Sequence, residues 1–162
     1  MSRTAPSPRG VDPSAPGNVI RIALAVESVF TVGISAYYIF FPRHYLLRTL
    51  GAASAQATTT ALQMTQQYGA VGVLVGAGVG LFVPNTKNLI EFRQPLYRAL
   101  LAFEVAFIPL LLWQALKMED GIPKNSLVST ATQFVPFVVW RIFTLGWKPE
   151  WFGRYLDGKK SE

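Results

Sequence analysis

The chain has 162 residues, of which 51% are hydrophobic and only 15% are charged. A soluble domain usually carries about 25% charged residues, because its surface must face water. With no cysteine and one histidine, His44, the chain cannot form a disulfide, a thiolate metal site or a cysteine–histidine catalytic pair. The composition therefore predicts an integral membrane protein rather than a soluble domain or a cysteine- or histidine-based enzyme.

The first 17 residues are rich in proline, serine and glycine and show no apolar periodicity, which predicts a disordered tail. They lack the uninterrupted apolar stretch that a signal peptide requires. A mitochondrial presequence is the less favoured interpretation, because its amphipathic helix would have to accommodate four prolines.

Four apolar runs follow the tail, at residues 19–41, 61–83, 96–116 and 127–147. Each is about 20 residues long, which at about 1.5 Å per residue matches a hydrocarbon core of about 30 Å. Prolines at or near the boundaries, such as Pro42, Pro84 and Pro95, indicate where helices begin and end. We therefore predict an all-α, antiparallel four-helix membrane bundle over residues 18–150, followed by a short tail at residues 151–162.

The basic residues are distributed unequally between the two sides of this predicted bundle. Ten lie on the side of the termini and four on the opposite side. The ten are Arg3, Arg9, Arg21, Lys87, Arg93, Arg98, Lys148, Arg154, Lys159 and Lys160. Since positive residues favour the cytosolic face, both termini are predicted to be cytosolic. The net charge of +6 is then explained by residues that flank membrane spans, and no nucleic-acid partner is predicted.

The last four residues include Lys159 and Lys160 and resemble the C-terminal dilysine signal that returns membrane proteins to the endoplasmic reticulum. Cytosolic coat proteins read that signal, which agrees with the predicted topology. The alternative is a solvated basic tail with no signal. We predict residence in the endoplasmic reticulum membrane.

Three ionisable residues lie within the predicted spans: Glu27, Glu104 and Arg141. Each is about 9–12 Å from the cytosolic end of its span, so three different helices place charge in one layer. Because a charge at this depth is costly, each residue is a candidate functional group. Arg141 can hold one carboxylate ionised while the other carries a proton, which is how carboxylate pairs divide acid and base roles. A structural ion pair that fixes helix register is the alternative.

Further polar residues follow the same helical spacing as the charged layer. Thr31 and Tyr38 continue the Glu27 face of the first span, and Gln133 continues the Arg141 face of the fourth. Gln67 joins Gln133 in a predicted second polar layer nearer the lumen. These four residues are the predicted substrate-binding groups.

The second span carries glycines at a spacing of four residues, Gly72, Gly76 and Gly80. This pattern predicts close helix packing, room for a ligand beside the charges, or both. It also offers a surface for homo- or hetero-oligomerisation.

The four spans and the stretch Gln67-Tyr68-Gly69-Ala70, which opens a glycine-rich second helix, resemble small four-span membrane proteins such as the DoxX-like families. The chain is also similar in general plan to endoplasmic-reticulum sterol isomerases, which are membrane bundles with embedded carboxylates. It departs from those isomerases because no predicted span contains a histidine, so the resemblance implies no site residues.

These features predict a biosynthetic isomerase or cyclase of the endoplasmic reticulum that acts on a lipophilic terpenoid, sterol-like or polyketide substrate. A carboxylic acid would protonate an alkene, epoxide or carbonyl, and no metal or redox cofactor is required. One alternative is a non-enzymatic accessory subunit or lipid-binding scaffold. An ion or proton pathway is less favoured, because an apolar gap separates the two predicted polar layers.

Overall fold

The computed structural model describes residues 10–12, 14–117 and 121–155. In this part of the chain the structure is all-helical, as the composition predicts. The five α-helices are α1 (Asn18–Phe40), α2 (Pro42–Leu50), α3 (Thr59–Gly80), α4 (Lys87–Lys117) and α5 (Lys124–Trp147). Two short 3₁₀ helices occupy Gly51–Gln56 and Pro149–Phe152.

Three of the helices, α1, α4 and α5, are long and apolar enough to cross a membrane. They correspond to three of the four predicted spans. Helix α3 has 22 residues and is also long enough, but its first half contains Gln63, Gln66 and Gln67. These amides lower the mean hydropathy of α3, so α3 matches a membrane span in length but not in hydropathy.

The structure departs most from the sequence prediction at the start of α4 and at α2. Helix α4 begins at Lys87 and continues through Pro95, where the sequence predicted its start. The proline removes one helical hydrogen bond, but the turn before it is held by the buried side chains of Ile90 and Arg93. Helix α2 was not predicted, because its nine residues are too short and too polar for a span. Its Pro42 occupies the first turn, where the missing N–H removes no helical bond.

Helices α1 and α3 pack antiparallel along the glycine-rich face of α3. A Cβ atom at Gly69 would lie 2.8 Å from the carbonyl oxygen of Ser35, and one at Gly76 would lie 2.8 Å from the Val32 side chain. The Ser28 hydroxyl donates to the Gly76 carbonyl oxygen at 2.8 Å. The glycines thus allow α1 to approach closely, in agreement with the packing interpretation.

Two separate hydrophobic cores organise the long helices. At the end of the molecule that contains the chain termini, α1, α3, α4 and the second 3₁₀ helix share one core. Its buried residues are Ile20, Leu24, Val79, Tyr97 and Phe152. Towards the other end, Leu111, Leu127 and Ala131 form a second core between α4 and α5. The α1–α3 pair and the α4–α5 pair are therefore joined by a common core mainly at the terminal end.

The two described ends of the chain meet at this shared core. Val11 and Tyr155 form an isolated antiparallel bridge, and the Arg154 backbone N–H donates to the Ala15 carbonyl oxygen at 2.9 Å. Hydrogen bonds from the Ser14 hydroxyl and backbone N–H hold the pKa of Asp12 below its ordinary value. Part of the predicted N-terminal tail thus lies against the C-terminal segment, whereas residues 1–9 and 13 lie outside the described chain.

Arg93 links the turn after α3 to the C-terminal segment through hydrogen bonds. Its side chain is fully buried, and the guanidinium donates five hydrogen bonds of 2.8–3.2 Å. The acceptors are the carbonyl oxygens of Phe82, Val83, Pro84 and Phe152 and the side-chain oxygen of Asn85. The sequence analysis treated Arg93 only as a loop charge, because nothing in the local pattern shows that a turn will fold around it.

Candidate functional site

The structure brings together the three ionisable residues that the sequence predicted to share a layer. Arg141 on α5 is 1% exposed. Its Nε donates to Glu104 Oε1 at 2.9 Å, and its Nη2 donates to Glu27 Oε1 at 2.5 Å. The three side chains come from α5, α4 and α1, so this triad links the two helix pairs.

The two carboxylates of the triad differ in their access to the surroundings. The Glu104 side chain is 4% exposed, whereas the Glu27 side chain is 18% exposed. On α1, Ile20 and Leu24 precede Glu27 at helical spacing and are fully buried in the shared core. Glu27 therefore lies at the boundary of the buried face and is the more exposed of the two carboxylates.

An aromatic residue that the sequence analysis did not select supports the guanidinium. The Arg141 Cζ lies 5.0 Å from the centroid of the Tyr97 ring, within the range of a cation–π interaction. The Tyr97 hydroxyl accepts from Trp140 Nε1 at 3.4 Å, and its ring meets Phe152 edge-to-face at 5.1 Å. The spacing along α4 could have identified Tyr97, because Tyr97 lies seven residues before Glu104 and so shares its face of the helix.

The charges of the triad do not balance when both carboxylates are ionised, since two negative groups meet one guanidinium. Each glutamate uses one oxygen to accept from Arg141. Glu104 Oε2 and Arg141 Nη1 are buried and make no hydrogen bond to the described residues. Such an arrangement can take up one proton and become neutral overall, which is the chemical property that an acid–base site needs.

The four predicted substrate-binding residues make no hydrogen bond to the triad in the described structure. Thr31 is half-buried and faces Gly76 of α3. Tyr38 belongs to a tyrosine cluster at the far end of α1, with its ring centroid 4.3 Å from that of Tyr45. Gln67 and Gln133 are exposed, and the Gln133 amide lies 3.5 Å from the Ser129 hydroxyl.

The Arg141 face of α5 changes from closed to open within one turn. Thr144 and Arg141 are buried, whereas Phe137, four residues earlier on the same face, is 40% exposed. Gln133, one further turn away, is also exposed. Pro136 lies within the helix between them, and an interior proline bends a helix. On α5, the triad therefore lies at the edge of the buried part of this face.

Two surface cavities occur near the terminal end. One of about 390 Å³ is lined by residues of α4 and the C-terminal segment, including Lys87, Glu91 and Arg154. The other, of about 330 Å³, lies beside the start of α1. Neither cavity is lined by a triad residue, and the described residues contain no group of three or more potential metal ligands.

Comparisons with protein-family models, curated proteins and solved structures found no match. The DoxX-like resemblance therefore stays a prediction, and the candidate function rests on the geometry of the triad.

Proposed function

We propose that this chain is a four-span membrane enzyme that isomerises or cyclises a lipophilic substrate by acid–base chemistry at Glu27, Arg141 and Glu104. The observation that carries the proposal is the sharing of one buried guanidinium by two carboxylates, of which only Glu27 is partly exposed. A terpenoid, sterol-like or polyketide molecule would approach from the side on which Glu27 is partly exposed.

The second carboxylate is the main argument for chemistry over structure. One glutamate is sufficient to neutralise Arg141 and to form a buried pair between two helices. A second glutamate in the same layer adds a negative charge where ionised groups are costly. A proton shared within the triad removes that cost and supplies an acid at the edge of an apolar environment.

The proposed role of each carboxylate follows from its exposure to the surroundings. Protonated Glu27 would donate its proton to an alkene carbon, an epoxide oxygen or a carbonyl oxygen of the substrate. The resulting cation would rearrange, close a ring or shift a double bond, and would then lose a proton to a carboxylate of the triad. One proton enters and one leaves, so isomerisation needs no external oxidant or reductant. Glu104 and Tyr97 would hold Arg141 in position throughout.

The membrane arrangement of α3 belongs to the same proposal. The Gln66 amide donates to the Ile39 carbonyl oxygen at 3.0 Å, one residue before α1 ends. The α3 glutamines are therefore level with the end of α1, beside tyrosines that suit a membrane interface. The hydrogen bonds of Arg93 satisfy carbonyl groups of the non-helical backbone after α3, as such backbone in a membrane protein requires.

The first prediction concerns activity. Glu27→Gln and Glu104→Gln keep the size of the side chain but remove its exchangeable carboxyl proton. We expect each variant to lower product formation by about 100-fold or more. The folded yield should stay within about two-fold of the wild-type yield. The measurement is untargeted metabolite comparison of strains that carry wild type, each variant or no gene. Glu91→Gln is the matched control, because Glu91 is exposed and forms an ion pair with Lys87 across one helical turn. Full product formation in both triad variants would end the catalytic proposal.

A non-enzymatic accessory subunit or scaffold is the second candidate, and one observation favours it. The triad joins the two helix pairs, and neither cavity reaches it. In that case the Gln variants should retain function and be equally or more stable, because neutral groups cost less to bury than an unbalanced charge set. Thermal unfolding of the purified variants, compared with their metabolite profiles, separates the two candidates.

A further inference from the structure

Arg21 lies one turn into α1 and is held in a fixed position at the terminal end of the molecule. Its Nε donates to the Val83 carbonyl oxygen at 2.9 Å, and its Nη1 donates to the Asn18 side-chain oxygen at 3.1 Å. The other N–H groups of this guanidinium make no hydrogen bond to the described residues. Arg21 therefore presents ordered, unused donors at its surface.

A second guanidinium adds to the positive charge at this point. Arg93 Nη2 donates at 3.2 Å to the same Val83 carbonyl oxygen that accepts from Arg21. Within the described chain, no carboxylate forms an ion pair with either residue. Two positive charges thus converge on one carbonyl, and an anion beside Arg21 would reduce their mutual repulsion.

An apolar groove begins directly beneath Arg21. The cavity of about 330 Å³ is lined by Asn18, Arg21, Ile22, Ala25 and Val83. Ile22 is exposed on the outer face of α1, and Ala25 lies one turn deeper along this helix. Because α1 is long and apolar enough to span a membrane, its outer face is available to lipid chains.

We propose that Arg21 and this groove bind one anionic phospholipid, in the leaflet on the side of the chain termini. The phosphodiester would accept hydrogen bonds from the unused Arg21 donors, and the net negative charge of the headgroup, which phosphatidylcholine lacks, would offset the charge of Arg93. One acyl chain would lie in the groove along Ile22, Ala25 and Val83. This site is separate from the triad and does not depend on the proposed acid–base chemistry.

The test is native mass spectrometry of the purified full chain, released from detergent that contains equal amounts of phosphatidylserine and phosphatidylcholine. Wild type should retain one phosphatidylserine in preference to phosphatidylcholine. Arg21→Gln should lower that preference about five-fold, since a single basic residue contributes about 1 kcal/mol at an anionic surface. Arg98→Gln is the matched control, because Arg98 is an exposed basic residue on α4; it should leave the preference unchanged.

A second variant tests the groove without changing any charge. Ala25→Trp should fill the groove and lower phosphatidylserine retention even if Arg21→Gln proves too unstable to purify. Equal loss in the Arg98 and Arg21 variants would show non-specific surface attraction and overturn the proposal. Full retention in Ala25→Trp, or displacement of the lipid by millimolar inorganic phosphate, would also overturn it, because either result removes the acyl chain from the site.

Discussion

At the scale of single residues, the molecule buries two guanidiniums and satisfies them in different ways. Arg141 meets two carboxylates, whereas Arg93 meets only carbonyl and amide oxygens. A buried arginine keeps its charge, so it must find partners that replace water. Arg93 uses its charge to hold a turn, whereas Arg141 lies beside one more carboxylate than its charge can neutralise. Only the Arg141 cluster therefore has the composition of an acid–base site.

Replacing Arg93 tests its role in stabilising the fold through hydrogen bonds. Arg93→Met keeps the length of the apolar stem but removes all five donors, so the oxygens of Phe82, Pro84, Asn85 and Phe152 lose their Arg93 hydrogen bonds. We expect the free energy of unfolding to fall by about 3 kcal/mol or more. Thermal unfolding followed by tryptophan fluorescence in detergent measures the loss. Arg98→Met, at an exposed position of the same helix, should change stability by less than about 0.5 kcal/mol. Equal stability of the two variants would contradict this role.

At the scale of helices, spacing rules predicted contacts better than boundaries. The glycine spacing on the second span predicted close packing, and depth and charge brought Glu27, Glu104 and Arg141 into one layer. The same rules could not show that α4 continues through Pro95, because the stabilising contacts of Arg93 come from residues distant in sequence.

The glycine face of α3 allows a paired test of helix packing. Gly69→Ala would place a Cβ atom 2.8 Å from the Ser35 carbonyl oxygen, and rigid backbone cannot yield there easily. We expect a loss of about 1–3 kcal/mol in stability. Gly78→Ala is the control, because a Cβ atom added there would have no neighbour within 4 Å. It should be neutral or stabilising by up to about 1 kcal/mol, since alanine favours helix. Thermal unfolding of both variants decides; equal effects would contradict the α1–α3 register.

At the scale of the whole molecule, the two helix pairs share a hydrophobic core at the end that contains the chain termini, and towards the other end the Ser126 hydroxyl of α5 donates to the Thr49 carbonyl oxygen of α2. The alternation of apolar runs and turns predicted that the termini would lie on one side, and the bridge between Val11 and Tyr155 places the described ends together. No pattern in the sequence predicted where this shared core lies. It depends on which helices share Ile20 and Tyr97 in one core and which share only Leu111 and Leu127.

The side of the membrane that carries the termini determines whether the C-terminal lysines can act. Lys159 and Lys160 lie outside the described residues, so their role rests on sequence and topology. If the terminal end faces the cytosol, changing both lysines to serine should shift a tagged protein from the endoplasmic reticulum to later compartments, because coat proteins could no longer retrieve it. Imaging against compartment markers measures the shift.

Because the chain has no cysteine, single cysteines at Ser2 and Ser161 can be labelled from the cytosol in intact microsomes. Labelling at both ends with unchanged localisation would show that the lysines are incidental, and protection of both ends would reverse the topology.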